Sequence, residues 1–352
     1  MVNINLTKKL LEVLLVAFAI ALLGGCAQLN TIKLSHNATA TPTVTPPPAL
    51  ILPTLTTEPL GSRGNPLVLA VTANKSTPQM VAGLIELAAR LKDKTGYNVT
   101  TEVDTTANWL ITGMLGAEVE IAFLPPASYI WASQEKIATV ALLTNHFGVY
   151  GYGIQFLANK DSLLTVFYDP SKNSSPLEPN QALSQFSGRI PCWVSPTSLA
   201  GFVAPQGYLL NQHLAKQPGI FMNSSTALIR ALYVKGICDF GATFSTIGDP
   251  RTAQDLLADF PDILDKVVII WQSPAVIPSM NISYLASLPV DMQSKLTQAF
   301  LDIQQEESGK EVLTAAAGYD IQGLKVVEDS AYDPLRNLIE KSQVELSTLI
   351  GQ

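Results

Sequence analysis

GAEVEIAFLPPASYIW, Gly116 to Trp131, sets a short apolar run, Val119 to Leu124, against two prolines and a new helix through Ala127, Ser128 and Tyr129. A continuous apolar run between breakers predicts a central parallel strand covered on both faces. In open α/β sheets ligands sit at the carboxyl ends of such strands, against the amino terminus of the next helix, where unpaired N–H groups favour anions. Pro125 to Tyr129 is therefore the first candidate binding wall, with an ordinary strand-to-helix turn as the other reading.

The flanking chain repeats the pattern. Leu67 to Thr72 is a strand of buried type and Ala73 to Thr77 its exit loop. Pro78 suits the first turn of a helix capped by Ser76 or Thr77. Met80, Val81, Leu84, Ile85, Ala88 and Leu91 recur at helical spacing, and Gly96 closes the helix. A strand at Asn98 to Val103 and a helix from about Thr106 to Leu115 lead into the opening run. Strand, helix, strand, helix, strand predicts parallel pairing with right-handed crossovers, so Thr72 to Thr77 and Pro125 to Tyr129 share one sheet edge.

A second round follows. Strands are expected around Val140 to Leu143 and Tyr152 to Ala158, then at Arg189 to Val194, whose exit loop runs from Ser195 to Gly201. A helix at about Ser225 to Val234 precedes strands at Cys238 to Thr243 and Val267 to Trp271, and the chain from Pro289 onward reads as helical. The fold class is α/β: two lobes of parallel-type sheets flanked by helices, with a cleft between them.

The amino-terminal residues point to a compartment. Lys8 and Lys9 precede an apolar run from Val13 to Leu23, which is short for a bilayer span and suits a secretory signal. Leu23-Gly24-Gly25-Cys26 resembles the bacterial lipoprotein lipobox. That resemblance implies a signal peptide at 1–25, and a Cys26 that is lipidated and becomes the new amino terminus. Each buried methylene contributes about 0.8 kcal/mol, and more than one acyl chain makes the anchor stable. Residues 26–65, with TPTVTPPP at Thr41 to Pro48, are too polar and proline-rich to bury a core and read as an extended leash. The expected location is the extracytoplasmic face of the bacterial cell membrane.

Charged residues make up 14% of the 352, the net charge is −7, and no basic face appears, which argues against nucleic acid as a partner. There is no G-x-S-x-G, H-E-x-x-H or phosphate-binding loop, and no cofactor or metal pattern. His36, His146 and His213 are scattered. Glu118 and Glu120 flank the opening strand at its amino-terminal end, away from the expected cleft. No enzyme is expected.

The blocks PLVLAVTANKSTPQM, GAEVEIAFLPPASY, GYGIQFLANKDS, GRIPCWVSPTSLAGF, KGICDFGATF, WQSPAVIP and LPVDMQSKL occur in this order. Together they resemble the phosphate-, phosphite- and phosphonate-binding components of ABC importers, over about Pro66 to Ile350. The resemblance implies a type II periplasmic-binding-protein fold in a monomer that closes on a small ligand and is read by an ABC permease. Lobe 1 would be 66–151 plus 279–352, and lobe 2 would be 152–278.

The ligand residues the resemblance implies, with the two sheet-edge loops, are Thr72, Asn74, Ser128, Tyr129, Tyr152, Ser195, Thr197, Ser198 and Asp239. The family's Ser-Thr-Ser run at a second-lobe helix falls on Ser198, Leu199 and Ala200, so one hydroxyl of three remains. Its Asp-Tyr pair falls on Thr106 and Ala107, and its Ser-His-Asp segment near Ser225, Thr226 and Ala227. A dianion needs several such donors in a desolvated site. A phosphonate- or phosphate-like oxyanion is the expected ligand class. The alternative is a ligand-sensing or partner-docking lipoprotein on the same fold with another ligand. Cys192 and Cys238 lie early in two strands expected to be neighbours, and both a disulfide and two reduced thiols stay open.

Overall fold

A computed structural model describes residues 58–73, 75–214 and 217–350. The signal-like segment, Cys26, the Thr/Pro-rich leash up to residue 57 and Asn74 lie outside the described residues. Residues 58–65, expected in the leash, instead form turns on the first lobe, where the Asn98 N–H donates to the Gly61 carbonyl at 2.8 Å and Leu60 packs against the core. Among those described, no helix is long and apolar enough to cross a membrane.

The first lobe begins β1 (Leu67–Thr72), α1 (Pro78–Thr95), β2 (Val99–Asp104), α2 (Ala107–Leu115), β3 (Ile121–Leu124), α3 (Pro126–Gln134) and β4 (Ala138–Asn145). Thr77 caps α1 by accepting from the Met80 N–H at 3.2 Å, and Gly96 closes it in the left-handed conformation. Of the residues expected on the apolar face, Met80, Leu84, Ala88 and Leu91 point inward, joined by Gly83 and Leu87, while Val81 and Ile85 are exposed. β3 is two residues shorter than expected. The Glu120 carboxylate accepts from the Val68 N–H at 2.7 Å, while the Glu120 N–H donates to the Val68 carbonyl at 3.1 Å.

The chain then crosses into β5 (Gly151–Asn159), β6 (Pro191–Trp193), α4 (Ala204–Asn211), β7 (Ile220–Phe221), α5 (Ser225–Val234), β8 (Phe240–Ser245), β9 (Val267–Gln272) and β10 (Ile277–Pro278). It returns through β11 (Asn281–Leu285), α6 (Val290–Ile303), α7 (Gly309–Ala317), β12 (Gly323–Val326), α8 (Asp333–Ser342) and α9 (Leu346–Ile350). The first sheet has the order β12-β4-β11-β3-β1-β2 and the second β10-β5-β8-β6-β7, with β9 also on β5.

Both sheets are mixed. β1, β2 and β3 pair in parallel, as do β6, β7 and β8, but β11 lies antiparallel between β3 and β4, and β12 antiparallel on β4. β11 and β12 are not foreseen from the sequence, in which the chain past Pro289 reads as helical. Both strands are short, and antiparallel neighbours need no helix between them to mark their place. The outgoing and returning segments run side by side, with Gly151 opposite Pro278 and Tyr152 opposite Ile277.

A further connection lies near the carboxyl terminus. After β12 the chain packs α8 against α4 of the second lobe, then returns α9 to α3 of the first. Gln206 donates its side-chain N–H to the Ser342 carbonyl at 2.7 Å. At Gly207 a Cβ would stand 2.3 Å from the Leu338 carbonyl oxygen, so only glycine lets the two helices approach this closely.

Cys192, in β6, and Cys238, just before β8, form a disulfide with Cα atoms 5.7 Å apart. It sits in a cluster with Leu157, Leu228 and Leu232 between the second sheet and α5. With a sequence separation of 46, the chain-entropy model assigns it about 4 kcal/mol. Cys192→Ala/Cys238→Ala should lower the melting temperature by several degrees in calorimetry; a shift within about 1 °C would show that the bridge does little for stability.

Candidate functional site

Because β1 and β3 run parallel, the loop after β1 and the start of α3 emerge at one edge of the first sheet. There they form one wall of a groove of about 780 Å³ with Thr72, Ala73, Lys75, Thr77 and Pro125. The opposite wall comes from the end of α7 and the turn after it, with Thr314, Tyr319 and Asp320, and from Met280 in the returning segment. In the second lobe the corresponding edge carries the loop after β6, Ser195 to Ser198, and the end of β8 at Thr246. None of the second-lobe hydroxyls lines the first-lobe groove.

The expected site residues fall into separate groups. Thr72 is in the groove wall. Tyr152 is half-buried on β5, where burial, and then the nearby Tyr319, push its phenol up to about 12. Ser195, Thr197 and Ser198 lie together in the second-lobe loop. The Ser198 N–H donates to the Ser195 carbonyl at 3.1 Å, and its hydroxyl accepts from the Gly201 N–H at 3.0 Å. Ser198 thereby caps a π-helical turn, Leu199–Val203, that feeds α4; such turns are frequent at functional sites.

Ser128 and Tyr129 are buried inside α3 rather than presented to the groove. The Tyr129 hydroxyl donates to Asp329 at 2.5 Å, and its ring lies against Tyr332. Asp329 in turn accepts from Arg336, which also reaches Asp333 and Ser133. Burial, then the bond to Asp329, raise the Tyr129 phenol well above its ordinary value. For Asp329 burial works upward, but the bonds from Arg336 and Tyr129 hold it below the usual carboxylate range. Tyr129 therefore secures the segment leading into α8.

Asp239 lies at the other end of the second sheet. Its carboxylate accepts from the Ile190 N–H at 2.7 Å, and its own N–H donates to the Ile190 carbonyl at 2.8 Å. A residue preceding β8 is about 20 Å, the length of a six-residue strand, from the carboxyl edge. It cannot reach a ligand there.

The sequence reading missed Tyr319, Asp320 and His146. Tyr319 stacks on His146 with centroids 4.2 Å apart, and the His146 Nδ1 lies 2.9 Å from the Asp320 carbonyl. Burial raises the Tyr319 phenol against the effect of hydrogen bonds with Ser279 and Thr144. The available signal was the breaker cluster Gly318-Tyr319-Asp320 after an alanine-rich helix.

Two sheets joined by paired crossing segments, with a groove at the carboxyl edge, define a two-lobed binding protein. The family described as "ABC transporter, phosphonate, periplasmic substrate-binding protein" matches residues 69–332, and the chain belongs to it. It is a family of substrate-binding transport components, not of enzymes. The Phosphate-import protein PhnD of Mycolicibacterium smegmatis is 24% identical over 197 residues, 52% of this chain and 56% of that protein; the chain thus spans about half the length of this curated relative. Among solved structures, XAC2383 from Xanthomonas citri bound to ATP matches with a TM-score of 0.56 and 16% identity, over 79% of this chain and 96% of that one. Mh-p37 of Mycoplasma hyorhinis matches with a TM-score of 0.51 and 10% identity, over 78% and 98%. These likenesses show the type II periplasmic-binding-protein fold.

Two outcomes follow for the tyrosines. Tyr129→Phe should cost about 1–2 kcal/mol of stability in denaturant unfolding, because Asp329 loses a buried partner, and should leave ligand affinity unchanged; a loss of affinity without loss of stability would return Tyr129 to the cleft. Tyr152 and Tyr208 are raised to about 12, and Tyr284 and Tyr332 still higher, in each case chiefly by burial. A folded pKa above the unfolded one means stability is fully present below pH of about 10 and is lost as pH rises toward 12. The melting temperature should therefore fall steeply above pH 10, before phenolate absorbance develops; a flat profile from 9 to 11 would contradict the burial of these phenols.

Proposed function

We propose that the chain is the extracytoplasmic receptor of an ABC importer, held to the membrane by a lipidated Cys26, and that it closes its two lobes on a phosphate- or phosphonate-bearing solute. The groove at the carboxyl edge of β1 and β3 carries this reading, together with the Ser195 to Ser198 loop at the corresponding edge of the second sheet. Its volume of about 780 Å³ leaves room for an organic group beside the oxyanion. XAC2383, of the same fold, binds ATP, so the architecture is compatible with a phosphate ester of considerable size.

The donors on offer are few. Among the described residues Lys75 is the only cationic side chain lining the groove, and in the second lobe Leu199 and Ala200 supply no hydroxyl. The Ser198 hydroxyl already accepts as a cap, although its own O–H can still donate. That scarcity favours a ligand of lower charge than a free dianion. It is also the observation behind a second reading, a sensing or docking lipoprotein with a different ligand.

Thermal-shift measurements on the full chain in detergent separate the two. At a hundred times its dissociation constant a ligand adds about 2.7 kcal/mol, which shifts the melting temperature by several degrees. Methylphosphonate, phosphate or a phosphate ester should give such a shift, and Ser198→Ala and Tyr152→Phe should each reduce it. Shifts with amino acids or sulfonates alone would favour the second reading, and a phosphorus-ligand shift unchanged in both variants would sink the site assignment.

A further inference from the structure

A cavity of about 200 Å³ lies in the second lobe between the second sheet and α4, and shares no lining residue with the groove. β6 divides its side chains between the two faces of the sheet, Cys192 entering the disulfide-side cluster and Trp193 the opposite one. On this opposite side the cavity walls are aromatic. Trp193 meets Phe202 edge-on at 5.6 Å, Phe202 meets Phe221 edge-on at 5.0 Å, and Phe240 forms a further wall. At Gly219 a Cβ would stand 2.1 Å from the Trp193 indole nitrogen, so glycine is what allows the chain entering β7 to cross the ring.

Among the described residues Arg189 is the one charged side chain in the lining. Of the half-buried arginines, Arg90, Arg230, Arg251 and Arg336 each hold at least one carboxylate. Among the described residues Arg189 holds none; its Nε donates to the Gln185 carbonyl at 3.0 Å. A guanidinium beside an aromatic cavity, with no carboxylate on it among the described residues, is an arrangement that an anionic ligand completes.

We infer that this cavity is a second small-molecule site, selective for a single-ring aromatic carboxylate whose ring lies among Trp193, Phe202 and Phe240 and whose carboxylate meets the Arg189 guanidinium. Size sets the ring count: an apolar cavity of about 150 Å³ takes benzene, and this one leaves room for one further small group. Ring walls meeting edge to face favour a flat π-ligand over an alkyl chain. The planar guanidinium fork matches a carboxylate in two parallel hydrogen bonds, whereas a phosphate dianion would be left half-neutralised by a single cation.

Benzoate is the probe, titrated into the full chain with ¹⁵N-labelled tryptophan in detergent. The Trp193 indole resonance should move saturably, while those of Trp109, Trp131 and Trp271 stay in place. Arg189→Gln should weaken benzoate about tenfold, the worth of one charge-assisted pair, while benzyl alcohol, which lacks the charge, binds wild type and variant alike. Leu210→Trp, which fills the cavity from α4, should abolish both; should it fail to fold, Arg189→Lys serves instead, and should weaken benzoate but not benzyl alcohol. An unmoved Trp193 resonance at millimolar benzoate would overturn the site. Equal binding of benzoate and benzyl alcohol, or an unchanged affinity in Arg189→Gln, would overturn the carboxylate assignment.

Discussion

β11 is the strand on which the two-lobed arrangement depends. All five of its residues, Asn281 to Leu285, are buried, and it is hydrogen-bonded on both sides, to β3 and β4. Its antiparallel direction puts Asn281 opposite Leu124, at the edge where β3 ends and the groove begins. The chain therefore comes back from the second lobe at the edge that carries the groove. Thr144 donates its N–H and its hydroxyl to the Met280 carbonyl at 3.0 and 2.7 Å, which ties the outgoing segment to the returning one. A one-residue slip of β11 would turn every buried side chain to the wrong face, so this register is strongly specified.

Two adjacent strands alone would make a simple hinge, but α8 adds a constraint. Its body packs on α4 of the second lobe, while Asp329 and Arg336 secure its beginning to Tyr129 and Ser133 in α3. Relative motion of the lobes must bend the segment between those two anchorages or carry α8 with one lobe. The tyrosine that family likeness offers to a ligand is thereby committed to the polypeptide itself. A buried hydroxyl bonded to a carboxylate is costly to release, since the acceptor would be left in a poorly solvated place.

The chemistry of the groove follows from what surrounds it. Dipoles and hydroxyls dominate and full charges are scarce, with Lys75 on one wall and Asp320 on the other. The second lobe contributes a π-helical turn capped by Ser198, in which Leu199 and Ala200 carry no hydroxyl. Fold and family thus leave the solute to be decided by a few side chains on two loops. The aromatic cavity beneath α4 obeys different rules, with apolar walls and one guanidinium.

Local pattern by itself determined the strand-helix alternation of both lobes. Thr77, Pro78 and Gly96 bounded α1, the limits of α5 followed from its own residues, and the two prolines after Leu124 ended β3, because caps, breakers and apolar periodicity act within a few residues. It also placed Thr72 at the carboxyl edge of the first sheet, since that requires only parallel strands. Only tertiary structure decided the rest. The antiparallel insertion of β11 and β12, the inward turn of Tyr129 toward Asp329 two hundred residues away, and the seat of Tyr319 beside the groove depend on contacts between segments remote in sequence. The residue type of Asp239 suits a cleft, but the direction of its strand puts it at the far edge. Residue type is a local property, whereas the edge on which a side chain emerges is settled by the direction of its strand and the register of its neighbours.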